Sequence, residues 1–392
     1  MGGSGDDEGG AMLDARGRRL SLAIAISSAL PAGLSVGLTW PLLTLILERD
    51  GVGATMIGLN SAVSALAIVV SAPMMPWLIG RIGTVPAMWL GILVAVAAIL
   101  LLPVFPGLDA WFVLRFILGV GAAVHWVVSE TWINAVVTER GRGQVMGIYV
   151  TFYAGGLAGG PLVLGLTGIE GELPFLVGAA ILALAALPLL LARGVAPPLP
   201  HRGRIRLAVL FVAAPIAMTT ALIAGFSDSA SFALLPIYSL RNGFTQEVAV
   251  AMLSVFVAGN LGLQIPLGWI ADRVDRRLVL MFCAAMGVAG PLALPLAIGE
   301  GWILWPLLFV WGGTVVGLYT IGLTLLGQRF GPTEIAAANA TFVTIYETGG
   351  ILGPPVAGGA MSALGPDGLI LTLALACGAF LLLSAWRYSR RR

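Results

Sequence analysis

Twelve apolar stretches, each long enough to make a helix of about 20 residues, fill nearly the whole chain and are separated by short polar turns. They run over 21–47, 54–79, 86–105, 109–138, 144–168 and 173–193, then 207–236, 248–270, 278–298, 302–329, 335–360 and 367–387. In hydrocarbon every backbone donor and acceptor must find a partner within the segment, so a chain patterned this way can only be a bundle of membrane-spanning helices. Of its 392 residues, 58% are hydrophobic and 10% charged, which excludes a soluble globular domain. The predicted fold class is therefore all-α and integral to the membrane.

The basic residues orient the bundle. All 21 are arginines. Arg49 and Arg241 lie in turns on one side and Arg115 lies within a span; the others flank the opposite ends, the central break and both termini. Under the positive-inside rule this places both termini in the cytoplasm. Because topology already accounts for the arginines, no nucleic-acid partner is implied. The absence of lysine excludes a P-loop, a Schiff-base enzyme and an S-x-x-K hydrolase. Two histidines and two cysteines inside apolar spans (Cys283 and Cys377) form no metal or nucleophile–base constellation, so neither an enzyme nor a cofactor is expected.

Composition shifts divide the chain into a Gly-rich and acidic tail at 1–19, read as disordered; a six-helix bundle at 20–193; a Pro- and Arg-rich linker at 194–206; a second six-helix bundle at 207–387; and a basic tail at 388–392. The bundles repeat one another. Gly155 to Pro161 in the fifth span matches Gly349 to Pro355 in the eleventh at an offset of 194, which upstream pairs Gly119 with Gly313 and Glu130 with Thr324. Within these runs Gly156, Gly160 and Pro161, with Gly350, Gly353 and Pro354, are the expected points of bending or close helix contact.

Between the eighth and ninth spans, Gly268-Trp269-Ile270-Ala271-Asp272-Arg273-Val274-Asp275-Arg276-Arg277 packs five charges into six residues. It resembles the G-x-x-x-D-R-x-x-R-R loop of the major facilitator superfamily, which joins the second and third helix of each half. In the first half Gly80 stands where the acid would be. The resemblance implies twelve helices in two pseudo-symmetric six-helix bundles and a cytoplasmic latch made of Gly268, Asp272, Arg273, Arg276 and Arg277. Gly268 would permit close helix approach, Asp272 would face a neighbouring helix N-terminus, and Arg329 at the end of the tenth span would pair with Asp272.

Arg115 opens a second pattern in the fourth span, R-x-x-x-G-x-G-A-A, followed by Ser129-Glu130-Thr131-Trp132-Ile133-Asn134. The first part resembles the superfamily's helix-four pattern, in which the arginine faces the central cavity, and the second resembles the YcaD-like bacterial group. The Gly-Pro runs resemble, imperfectly, the G-x-x-x-G-P-x-x-G-G element of drug–proton antiporters.

Three carboxylates, Glu130, Asp228 and Glu347, lie within spans, against one fixed cation, Arg115, and one titratable ring, His125. Charge in hydrocarbon costs roughly 3 kcal/mol or more, so carboxylates without a fixed partner must be protonated, hydrated or matched by a cationic ligand. By analogy with the superfamily, Trp126, Trp132, Tyr149, Tyr153, Tyr319 and Tyr346, with Asn134, line the cavity, and an aromatic wall suits apolar or cationic ligands. The expected activity is proton-coupled export of a hydrophobic or cationic small molecule by a monomer in a bacterial cytoplasmic membrane. Glu347 would be the proton carrier and Glu130 the second site. Two alternatives are proton-coupled uptake of a small organic acid held by Arg115, and a non-transporting sensor or lipid-handling scaffold on the same fold.

Overall fold

A computed structural model describes residues 14–137, 141–192, 194–196, 214–330 and 335–390. Most of the linker expected at 194–206, residues 1–13 of the expected first tail and the last two residues of the expected second tail lie outside the described residues. The described chain is helical from end to end: α1 (Ala15–Ser27), α2 (Ala29–Arg49), α3 (Ala54–Ser71), α4 (Met75–Ile82), α5 (Thr84–Leu101), α6 (Leu108–Val136), α7 (Arg142–Thr167), α8 (Leu173–Leu184), α9 (Pro215–Arg241), α10 (Gln246–Ala271), α11 (Arg276–Ala297), α12 (Gly301–Gly327), α13 (Ile335–Leu364) and α14 (Asp367–Ser389). The first predicted span is drawn out into α1 and α2, which meet at Ser28. The second is broken before α4 by a 3₁₀ turn at Ala72–Met74, where Pro73 removes a backbone donor. Glycines make the sharp reversals, as at Gly83 (φ 89°) between α4 and α5.

Among the described residues, eleven helical segments are long and apolar enough to cross a membrane. The remaining predicted span, α13, is 30 residues long and carries Pro354, Pro355 and Glu347. It lies between α3 and α9, and its charged residue, Glu347, is buried.

Backbone-to-backbone packing at glycines builds each half, as expected where helix association cannot rely on burial of apolar surface from water. In the first half a Cβ at Gly33 would strike Tyr153 O, one at Gly156 would strike Leu30 O, and one at Gly160 would strike the backbone at Gly37, so α2 and α7 touch directly. In the second half Gly225 meets Tyr346 O, Gly349 meets Leu222 O and Gly353 meets Phe226 O, joining α9 to α13 in the same manner. These contacts correct the repeat register. Gly156 corresponds to Gly349 and Gly160 to Gly353, an offset of 193 rather than 194 for this helix pair. Gly119 and Gly313 do correspond, the first lying on Ser64 and Ala67 of α3 and the second on Gly259 and Leu263 of α10. The Gly-Pro runs are close-contact sites. Both α7 and α13 continue as helix through Pro161 and Pro354.

The halves join at the ends away from the termini. Gly58 of α3 abuts Pro354 O, Gly358 of α13 abuts Ala54 O, and Thr55 N donates to Ser362 Oγ at 3.2 Å. Trp40 packs edge-on against Phe232 at 6.1 Å. Arg241 at the end of α9 grips Glu48 at the end of α2 through two bonds, Nε to Oε1 at 2.6 Å and Nη2 to Oε2 at 2.9 Å. A bidentate, half-buried pair between two rigid halves biases whichever state brings the halves together. Glu48→Gln is therefore expected to open this seam more often. In a background with Cys283 and Cys377 replaced by alanine, a cysteine placed at Ala54 should react with a maleimide about two- to fivefold faster, the factor set by about 0.5–1 kcal/mol. Unchanged labelling would remove the pair from the closure.

Candidate functional site

Asp228 lies at the middle of α9, and Tyr346 is brought to it by the Gly225–Tyr346 backbone contact. The Tyr346 hydroxyl donates to Asp228 Oδ2 at 2.7 Å, and the Asn260 amide of α10 reaches the same carboxylate. Tyr319 of α12 meets Tyr346 edge-on at 5.1 Å and Phe342 at 5.2 Å, giving an aromatic wall beside the acid. Glu347, next in sequence to Tyr346, is 6% exposed and accepts no hydrogen bond among the described residues. Its charge acts on Asp228 and Tyr319 of its own half and on Tyr153 of the other.

In the first half Trp126 Nε1 donates to Glu130 Oε1 one turn along α6, at 2.6 Å, and the Trp126 ring stacks on Tyr153 of α7 at 6.2 Å. Tyr153 and Tyr319 each lie in the field of both Glu130 and Glu347. Glu130 of the first half and Glu347 of the second thus act on the same two tyrosines, and Glu347 also acts on Asp228. Asp228, Glu130, Trp126, Tyr153, Tyr319 and Tyr346 are all partly accessible within an otherwise buried interior, as residues lining a cavity are.

Other expected cavity residues are placed elsewhere. Trp132 is buried and donates to Ser21 Oγ at 2.8 Å, and Ser21 donates to Val195 O, so it ties α6 to α1. Tyr149 is buried, and Asn134 spends its amide on the Glu130 carbonyl, one turn back. Arg115 does not face the cavity. It is 2% exposed between α3 and α6, with Nε on Ser64 Oγ at 3.2 Å and Nη1 on Asn60 Oδ1 at 3.0 Å. Two polar side chains on α3 capture the guanidinium because α3 lies directly against α6 at Gly119.

His125 is buried against α2, with Nε2 on Ser28 Oγ at 3.2 Å. The Ser28 hydroxyl already donates to Ala25 O at 2.9 Å, so Nε2 is the donor in this pair. The ring is a structural link and stands apart from the acids. Among the described residues no arginine pairs with Asp228 or Glu347.

The charged loop between α10 and α11 also departs from expectation. Asp272 pairs with Arg276 at 3.1 Å, and the exposed Arg329 is not its partner. Asp272 caps the end of α10 and Arg276 opens α11, and the short turn between them brings the two side chains together. Asp275, not Asp272, caps α11, accepting from Arg277 N at 2.9 Å. Arg273 lies over the Trp269 ring at 3.9 Å and donates to Trp269 O. A Cβ at Gly268 would meet open space, so this glycine brings no helices together.

Sequence reasoning does not pair Glu48 with Arg241. A signal for that tie exists nonetheless, since Arg241 is one of two arginines on the side the others avoid.

Comparison with known proteins agrees with this geometry. The family model described as Major Facilitator Superfamily matches residues 25–354 and 217–392. An MFS-type transporter, YfkF of Bacillus subtilis (strain 168), is 27% identical over 353 residues, covering 87% of each chain. YcaD of Escherichia fergusonii is 26% identical over 335 residues, covering 84% of this chain and 86% of that one. Among solved structures, a bacterial homolog of the human lysosomal transporter Spinster, in an inward-facing and unoccupied conformation, superposes with a TM-score of 0.74 at 13% identity, covering 96% of this chain and 97% of the other. The nucleoside transporter NupG gives 0.72 at 16% identity, covering 95% and 98%. With the matched family model spanning almost the whole chain and the helices arranged in two like halves around a shared polar space, the chain belongs to the major facilitator superfamily of secondary membrane transporters.

Proposed function

We propose that the chain exports a cationic or hydrophobic small molecule in exchange for protons, by alternating access, as a monomer in a bacterial cytoplasmic membrane with both termini on the cytoplasmic side. One observation carries the reading: Asp228, bonded to Tyr346, and the adjacent Glu347 lie within electrostatic range of each other beside an aromatic wall, and no described arginine forms an ion pair with either. Such a space attracts cations and repels anions, and it must take up a proton whenever it holds no cation. Uptake of an organic acid is the weaker reading, because Arg115 is already engaged by Asn60 and Ser64. A scaffold without transport activity would have no use for acids held at mid-membrane.

The test is transport by purified protein in liposomes with an acidic lumen, using a panel of lipophilic cations and small organic acids. As protons leave the lumen, cations should enter and accumulate, and a protonophore should abolish the accumulation. Movement of organic acids alone, or cation movement indifferent to the pH gradient, would overturn the proposal.

A further inference from the structure

We infer that Tyr346 divides the labour of the two acids: its hydroxyl makes Asp228 the anchor for a substrate's positive charge and leaves Glu347 to carry the exchanged proton. The inference rests on the proton-exchange reading above and adds which acid does what, and through which residue.

The two carboxylates, linked through Tyr346 and interacting electrostatically, are unequal in surroundings. Asp228 receives the Tyr346 hydroxyl at 2.7 Å and has the Asn260 amide within reach; Glu347 is 6% exposed and receives no donor among the described residues. Hydrogen bonds to a carboxylate favour its charged form, and two carboxylates sharing a poorly solvated space do not both stay ionised. A proton entering the pair therefore goes to the acid without donors. Of the groups interacting with Glu347, Tyr346 shares its helix, Asp228 lies on α9, Tyr319 on α12 and Tyr153 on α7; Glu130 of α6 acts on the same two tyrosines and accepts from Trp126. Helix α3 sets Ala65 against Gly350, the Arg115 guanidinium is taken up by Asn60 and Ser64 of α3, and His125 is bonded to Ser28.

The charge balance follows. With a proton on Glu347 the pair carries minus one. When a monovalent cation settles at Asp228, it cancels the field that retained the proton, the proton departs from Glu347, and the pair with its cation again carries minus one. Exchange of one cation for one proton is then electroneutral, and the preferred substrate is an organic monocation whose charged centre fits between Asp228 and the Tyr319 ring.

Tetraphenylphosphonium, a lipophilic monocation without N–H donors, tests this with purified protein in weakly buffered detergent solution, reading affinity against pH and protons released. The wild type should release about one proton per cation bound. Glu347→Gln should bind with little pH dependence and release none, and Asp228→Asn should lose affinity at least tenfold. The tyrosine is read in the double variant. Tyr346→Phe added to Glu347→Gln should make binding weaken as pH falls, because Asp228 without its donor now accepts the proton. A purely packing role for the hydroxyl would instead lower affinity equally at every pH and would overturn its assignment. If Glu347→Gln lost binding and Asp228→Asn lost only proton release, the roles would be reversed while the exchange reading stood. If the wild type bound no tetraphenylphosphonium at any pH, the cation reading would fail and this inference with it.

Discussion

Glu347→Gln in liposomes is expected to exchange a labelled substrate cation across the membrane but not to accumulate it when a pH gradient is imposed. The substitution keeps the shape of a side chain that packs within α13 and removes only its capacity to hold a proton. For one proton per cation, each pH unit stores about 1.4 kcal/mol and supports about tenfold accumulation. The variant should therefore fall from roughly a hundredfold to parity at a gradient of two units. Exchange survives because Asp228 and the aromatic wall are untouched. Accumulation at the wild-type level would transfer the coupling role to Glu130 or Asp228.

The second large effect concerns packing. Gly225→Ala should destabilise the detergent-solubilised protein and abolish transport together, although alanine adds one methyl group. At Gly225 the added carbon would land on Tyr346 O, with Tyr346 Cα 3.1 Å away, and a backbone contact cannot be relieved by a rotamer change. Overpacking of this kind costs about 1–3 kcal/mol. Relief requires α9 and α13 to separate, and that carries the Tyr346 hydroxyl away from Asp228. Gly268→Ala is the control, since its added carbon meets open space and should leave both thermal stability and transport unchanged. Equal behaviour of the two variants in a melting assay would refute the idea that the glycine seam positions the site.

Part of the site is legible in the residue types and their positions along the chain. Glu347, Asp228 and Glu130 stand out because a carboxylate inside an apolar span is expensive and so needs a reason. Tyr346 stands out only by sitting on a cavity-type helix; its hydrogen bond to Asp228, 118 residues away, leaves no mark in the sequence. Arg115 shows the limit most clearly. Its charge makes it conspicuous, yet its partners Asn60 and Ser64 are ordinary polar residues of another helix and carry no sequence signature. The charged loop misleads for a related reason. A motif specifies residue types, whereas the short reach from Asp272 to Arg276 decides which pair forms. The repeat register slips by one because two adjacent glycines at 155 and 156 align equally well on paper, and only Gly156 faces α2.

The sequence by itself determined that this chain spans a membrane many times, which ends its arginines mark, and that three acids lie at membrane depth. Those properties follow from summing hydropathy and charge along contiguous residues, and lipid imposes them helix by helix. Tertiary structure alone decided that Tyr346 reaches Asp228, that Arg115 and His125 are engaged by Asn60 and Ser28 instead, and that Glu48 reaches Arg241. Which residues meet depends on how each helix is rotated about its axis. A helix in lipid is apolar on nearly every face, so its sequence carries little record of that rotation. The rotation is set where glycines let two backbones touch, and that is a property of helix pairs.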